Sequence, residues 1–162
     1  MIIIECIVSV PVARVEVDVD SLENANLDKL NLHRAVLESA NLSGASLKGT
    51  NLRGSFMYGI NLSKADLTDA NLEVADVSSA LLEGAKMHRV ILHSTHLEAT
   101  NMQNADLEGA DINRAFLQSA HLEGANMRCS GLETAHLVGA LYDSNTVWPE
   151  GFDPIKAGAI LI

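Results

Sequence analysis

From Leu22 to Tyr142 every fifth residue is Leu or another large apolar side chain: Leu22, Leu27, Leu32, Leu37, Leu42, Leu47, Leu52, Met57, Leu62 and so on to Leu132, Leu137 and Tyr142. Two positions earlier sits a small residue, usually Ala, as at Ala35, Ala40, Ala45, Ala65, Ala105 and Ala125. The position between them is often Asn or Asp, giving units such as Ala40-Asn41-Leu42-Ser43-Gly44 and Ala65-Asp66-Leu67-Thr68-Asp69. A fixed short period of this kind marks a repeat architecture. On an α-helix five residues advance about 500°, so successive leucines would be rotated by about 140° and would coat the helix all round. On a flat strand five is an odd number, and successive leucines would point to opposite faces. All of them point inward only if the chain turns a corner once per unit, which makes a coiled tube.

The sides of such a tube are short. Five residues at about 3.3 Å each, less what the corner consumes, leave room inside for little more than one Leu and one Ala per side, so the bore is filled. Adjacent coils stack as a parallel ladder about 4.8 Å apart. Gly two positions after many inward residues (Gly44, Gly49, Gly54, Gly59, Gly84, Gly109) suits a positive φ in a tight turn. Because Ser, Lys, Asp and Arg fill the same place elsewhere, the turn type is expected to vary. The composition fits a narrow bore: 48% hydrophobic but 4% aromatic over 162 residues.

These units, which read A(D/N)LxX, resemble the pentapeptide-repeat proteins, and the resemblance spans about residues 20 to 144. It implies an all-β fold, a right-handed quadrilateral parallel β-helix with four units per coil. At the sheet spacing that gives about six coils over roughly 30 Å. Three regions follow: an N-terminal β cap over 1–19, the pentapeptide-repeat β-helix over 20–144 and a capping tail over 145–162.

At the N-terminus the run Met1-Ile2-Ile3-Ile4-Glu5-Cys6-Ile7-Val8 is followed by Pro11 and then by the alternation Val15-Glu16-Val17-Asp18-Val19-Asp20, which reads as a half-exposed strand leading into the first coil. The first run is too short for a membrane span, is interrupted by Glu5 and lacks the pattern of a signal peptide. A small β lid with acidic residues along its edge is expected. At the other end, Tyr142-Asp143-Ser144-Asn145-Thr146-Val147-Trp148-Pro149-Glu150-Gly151-Phe152-Asp153-Pro154 breaks the period. Its rings are expected to cover the open bore where no further coil arrives. It is similar to a tail found after the last repeat in many cyanobacterial family members. Members that bind DNA gyrase generally dimerise through an extended C-terminal helix, whereas only Ile155 to Ile162 follow this tail, a departure that weakens transfer of the gyrase role. A monomer or weak dimer is expected. Cys6 and Cys129, the latter at an outward repeat position, read as free thiols.

Function must then lie on the outer faces, which the resemblance lets us read as columns twenty residues apart. The face carrying Leu22, Leu42 and Leu62 is mildly acidic. The next two balance acids against Lys and Arg, with opposite charges such as Arg53 and Glu73 one coil apart. The fourth, carrying Leu37 through Leu137, has Glu38, Asp76 and Glu98 but neither Lys nor Arg. It holds the candidate protein interface: Val36, Phe56, Tyr58, His96, Phe116, His136 and Val138. An aromatic stripe with a polar rim suits a partner site, and equally suits rings that pack along their own sheet or under the cap. Between Ala80 and Ala99 the usual Asn or Asp gives way to Leu81, Lys86, Ile91 and His96, and the small residue to Val90 and Thr95. Leu81 and Ile91 are either exposed or mark a locally altered turn.

Catalytic residues, cofactors and metal ligands are expected to be none. The six histidines are outward, His96 and His136 lie roughly 10 Å apart, and His93-x-x-His96 straddles a corner with no cysteine close by in sequence. A filled bore offers no cleft for an enzyme. Two functions remain: a protein–protein interaction scaffold with a partner of unknown identity, or a DNA mimic acting on gyrase or topoisomerase IV. The formal charge of −10 favours the mimic at first sight, but two neutral faces are poor for it. The same charge disfavours direct nucleic-acid binding, and no membrane anchor is present. Cytoplasmic localisation is expected, with thylakoid lumen or periplasm open if a leader was removed.

Overall fold

The computed structural model describes residues 1–7 and 13–162. Val8 and Pro11 of the N-terminal run lie outside the described residues. Four parallel ladders carry the repeats, each joining residues twenty apart. One runs Asn41, Asn61, Leu81, Asn101, His121 and Leu141, and another runs Val36, Phe56, Asp76, His96, Phe116 and His136. Each rung is held on both sides: Leu42 N–H donates to Asn61 O at 2.7 Å, and Asn61 N–H donates to Ala40 O at 2.9 Å. The chain is therefore a β-helical solenoid built from rungs too short for a long strand.

The corner between rungs is a tight turn, closed in the Leu42 unit by Ala45 N–H on Leu42 O at 3.0 Å. The expectation of varied turns is not met. Every fifth residue from Asn24 to Gly124 has positive φ whatever its type, Lys29, Arg34 and Val74 included. The cause is stacking, because the N–H of that residue donates to the coil below, as Gly44 does to Ser63 O and Lys64 to Glu83 O, both at 2.9 Å. One turn bonded to the next forces the same backbone on both. The role of Asn and Asp in the unit also becomes plain. Their Oδ1 accepts the turn N–H two residues on, as in Asn61 with Ser63 at 3.0 Å and Asn71 with Glu73 at 2.9 Å, which satisfies a donor that the ladder leaves out.

Inside, Leu and the paired small residue are almost wholly buried along the tube. Ile60 and Val90, bulkier than the usual Ala, are buried as completely. Where a hydroxyl replaces Ala it is satisfied: Thr50 donates to Leu27 O and Thr95 to Leu72 O, both at 2.8 Å. Leu81 and Ile91 sit on unbroken ladders and are 45% and 37% exposed, so of the two readings exposure holds and the turns around them keep the common form.

At the N-terminus β1 (Ile2–Cys6) and β2 (Ala13–Val17) form an antiparallel pair with Ile4 opposite Val15. The second strand thus begins at Ala13 and stops at Val17, where Val19 N–H folds back onto Val17 O. β1 docks on the first coil through an antiparallel bridge between Cys6 and Ala35, with Val36 N–H on Glu5 O at 2.8 Å. Ile4, Cys6 and Val17 are buried against the coil.

The C-terminal end differs from expectation in two ways. First, the regular turn is lost between 125 and 135: Asp111 pairs with Ser130, one residue early, and Gly131 takes a φ of +88° against the backbone of Asn113. The slip carries Cys129 to a half-buried place against the core instead of an outward one. Second, the tail lays down part of a further coil. Val147 bridges Asn126, and β3 (Leu141–Tyr142) pairs in parallel with β4 (Ile160–Leu161). Between these rungs Trp148 meets Tyr142 edge-on at 5.6 Å and Phe152 at 5.3 Å. Asp143 pins the corner by accepting N–H bonds from Gly124, Asn145 and Thr146 at 2.9–3.0 Å. Among the described residues no helix is long and apolar enough to cross a membrane.

Candidate protein-docking face

The fourth ladder places its side chains by register alone, since each residue before an inward Leu projects from the sheet directly over the one twenty positions on. Phe116 is stacked between two imidazoles: its ring centroid lies 4.7 Å from that of His96 and 4.9 Å from that of His136, at interplanar angles of 11° and 5°. Offset ring stacking at such distances is attractive beyond the area buried. His96 is held further by Glu98, whose Oε1 lies 3.1 Å from Nδ1 and whose Oε2 accepts the Ser78 hydroxyl at 3.2 Å.

The seven candidate residues do not form one continuous stripe. Asp76 stands in the ladder between Phe56 and His96, with its carboxylate turned to the backbone N–H and hydroxyl of Ser78. Above it lie Val36, Phe56 and the 53% exposed Tyr58. Below it lie His96, Phe116, His136 and the 66% exposed Val138. The upper group also borders a shallow depression of about 360 Å³ lined by His33, Arg34, Arg53, Gly54, Phe56 and Val74. Arginines of the third face thus reach the rim of a face that carries no Lys or Arg of its own.

The second and third faces are stitched by ion pairs along the twenty-residue offset and its diagonal. Arg89 grips Asp69 with two hydrogen bonds of 2.7 and 2.8 Å, Arg53 Nε donates to Glu73 at 2.9 Å, and Lys48 Nζ lies 3.2 Å from Asp66. Four histidines take carboxylate partners: His88 with Asp106, His93 with Asp111, His96 with Glu98 and His121 with Glu123. His93 and His96 therefore engage different acids. A cleft of about 540 Å³ lies between the last coil and the tail and is lined by Cys129, Leu132, Ala135, Pro149 and Phe152 among others. Burial pushes the Cys129 thiol up to about 12, so it stays protonated there and is a poor nucleophile.

Counting by twenty in the sequence gives both the column and Asp76 within it, between Phe56 and His96. It missed the corner depression and the grouping of His88 with Asp106 and Glu108, both of which depend on residues that meet diagonally across coils.

The Pentapeptide repeats family profile matches residues 21–54, 45–84, 60–98 and 91–128, with eight copies. Among solved structures, the chain is 33% identical to alr5209, a pentapeptide repeat protein from Nostoc, over 75% of this chain and 84% of that one, with a TM-score of 0.53. It is 30% identical to Rfr23, a pentapeptide repeat protein from the cyanobacterium Cyanothece, over 80% of this chain and 88% of that one, with a TM-score of 0.46. No curated relative matches the sequence. With repeat units from Leu22 onward, ladders of period twenty and this match over most of its solenoid, the chain belongs to the pentapeptide-repeat family.

Proposed function

We propose that this protein is a non-enzymatic scaffold, a right-handed four-sided β-helix of about six coils capped by residues 1–19 and 145–162, that docks another protein on its fourth face. The stack of His96, Phe116 and His136 carries the reading. Its rings are already ordered by one another and by a ladder that cannot shear, so a partner meets them with little further loss of side-chain entropy. Val138 and Tyr58 add exposed apolar surface, while Glu38 and Glu98 supply a polar rim. The partner is expected to bring an apolar anchor flanked by Lys or Arg, since this face offers acids and neither Lys nor Arg.

The test is comparative capture followed by affinity measurement. A partner bound by the wild-type chain and by a Lys29→Glu variant of the opposite, second face, but lost in Phe116→Ala and Val138→Asp, supports the docking face. Equal binding by all four sinks it. The gyrase-mimic alternative is disfavoured by the ion pairs Arg89–Asp69, Arg53–Glu73 and Lys48–Asp66, which neutralise the acids a DNA mimic would have to display. Inhibition of gyrase supercoiling at micromolar protein would reverse that ranking.

A further inference from the structure

On the second face, His88, Asp106 and Glu108 bring one ligand atom each to within 4.8 Å of the others. His88 Nε2 lies 3.0 Å from Asp106 Oδ2. Ligand atoms about 2.0–2.2 Å from a tetrahedral ion stand about 3.3 Å apart, so this pair is already close to the required spacing. The two carboxylates are aimed from outside the group. Asn126, one coil further, donates through Nδ2 to Asp106 Oδ1 at 2.9 Å and lies 3.5 Å from Glu108 Oε2, while the Glu108 N–H also binds Asp106 Oδ1. Oδ2 is left for the imidazole. We propose that His88, Asp106 and Glu108 form a surface site for a divalent first-row transition ion, with Asn126 as the positioning residue and water completing the shell.

Two sites of the same geometry show why this one is distinctive. Lys48 and Asp66 occupy the equivalent diagonal on the same face, and there an ammonium fills the place of the imidazole. His93 and Asp111 repeat it on the third face, His93 Nε2 standing 2.6 Å from Asp111 Oδ2. The residue two beyond that acid is Asn113, which donates to Asp111 instead of offering a carboxylate. Only the His88 group, among these three, has an imidazole and two carboxylates. Imidazole with carboxylate oxygens suits Zn²⁺, Mn²⁺ or Fe²⁺ better than Ca²⁺ or Mg²⁺. On binding, the imidazole takes the Nδ1–H tautomer so that the Nε2 lone pair faces the ion. Lys86, across the ladder from Asp106, is the local electrostatic competitor.

The probe is Zn²⁺ titrated calorimetrically into the full chain freed of any histidine tag, with the thermal midpoint followed in parallel. Expected are saturable uptake of one ion per chain and a midpoint that rises with Zn²⁺. His88→Ala, Glu108→Gln and Asn126→Ala should each weaken uptake by about tenfold or more, whereas His93→Ala leaves it unchanged. Lys86→Met tightens it, and Asn113→Glu, by completing the His93 group, raises the stoichiometry to two. Absence of saturable uptake overturns the proposal, as does a folded His88→Ala variant that binds Zn²⁺ as the wild type does.

Discussion

The hydroxyl of Thr95 donates to the backbone carbonyl of Leu72 across 2.8 Å, inside the bore and between successive coils. A polar atom in this position is tolerated because the solenoid supplies a carbonyl at the same place in each coil. Thr95→Val keeps the volume and removes the bond, and should cost about 1 kcal/mol, read as a lower urea midpoint at unchanged m-value. Thr50→Val, which removes the matching bond to Leu27, should behave alike.

Val74 sits at a φ of 52°, a left-handed conformation that a β-branched residue adopts only under constraint. It is also substantially exposed, so little burial is lost with its side chain. Relief of about 1–2 kcal/mol of strain exceeds the entropic cost of about 0.5–1 kcal/mol for glycine. Val74→Gly is therefore expected to raise the thermal midpoint, and an unchanged or lower midpoint would count against the strain.

Gly131 has the opposite character. An added Cβ would run into the backbone of Asn113 at the point where the repeat slips by one residue. Gly131→Ala should destabilise by more than about 2 kcal/mol, with the loss concentrated at the C-terminal end. Hydrogen exchange would show it first in the Ser130 and His136 amides.

Asp143 is held down to about 2, chiefly by the backbone N–H of Gly124 and then by Asn145 and Thr146. Its folded-state value is below that of an unfolded Asp, near 3.9. Its contribution is thus present above about pH 4 and is lost as pH falls toward 2. An Asp143→Ala variant should have a lower thermal midpoint than the wild type at pH 7, with the gap closing at pH 2.

Both thiols are shifted upward by burial, Cys6 as well as Cys129. With Cys6 buried where β1 docks on the first coil, neither should react readily with a disulfide reagent at pH 8 in the folded chain. Both should react promptly in denaturant, and rapid labelling of the native protein would contradict the placement of Cys129 against the core.

The solenoid was legible because Leu42, Ala40 and Asn41 each have a fixed task repeated every five residues. The left-handed turns were only half legible. Gly44 announces its φ, but Lys29, Arg34 and Val74 do not, since their conformation is imposed by the turn stacked beside them. The slip at Ser130 was hidden because Leu132 is buried all the same, while the backbone before it loses a residue and the stretch after it regains one. On the candidate face, the column from Val36 to His136 followed from counting by twenty. The meeting of Phe56 with Arg34 and Arg53, and of His88 with Asp106 and Glu108, lies on diagonals that a linear count passes over.

The ladder of period twenty gives the chain a reading frame of its own. Excising twenty residues from its middle, such as 61–80, shortens the rod and leaves the remaining columns in line, with Phe56 brought over His96. Excising only five would preserve the inward leucines but turn everything downstream by one column, setting Phe116 beneath residues of another face. Insertions and deletions therefore act on this protein as a dial, able to reassign its surfaces while leaving its interior untouched.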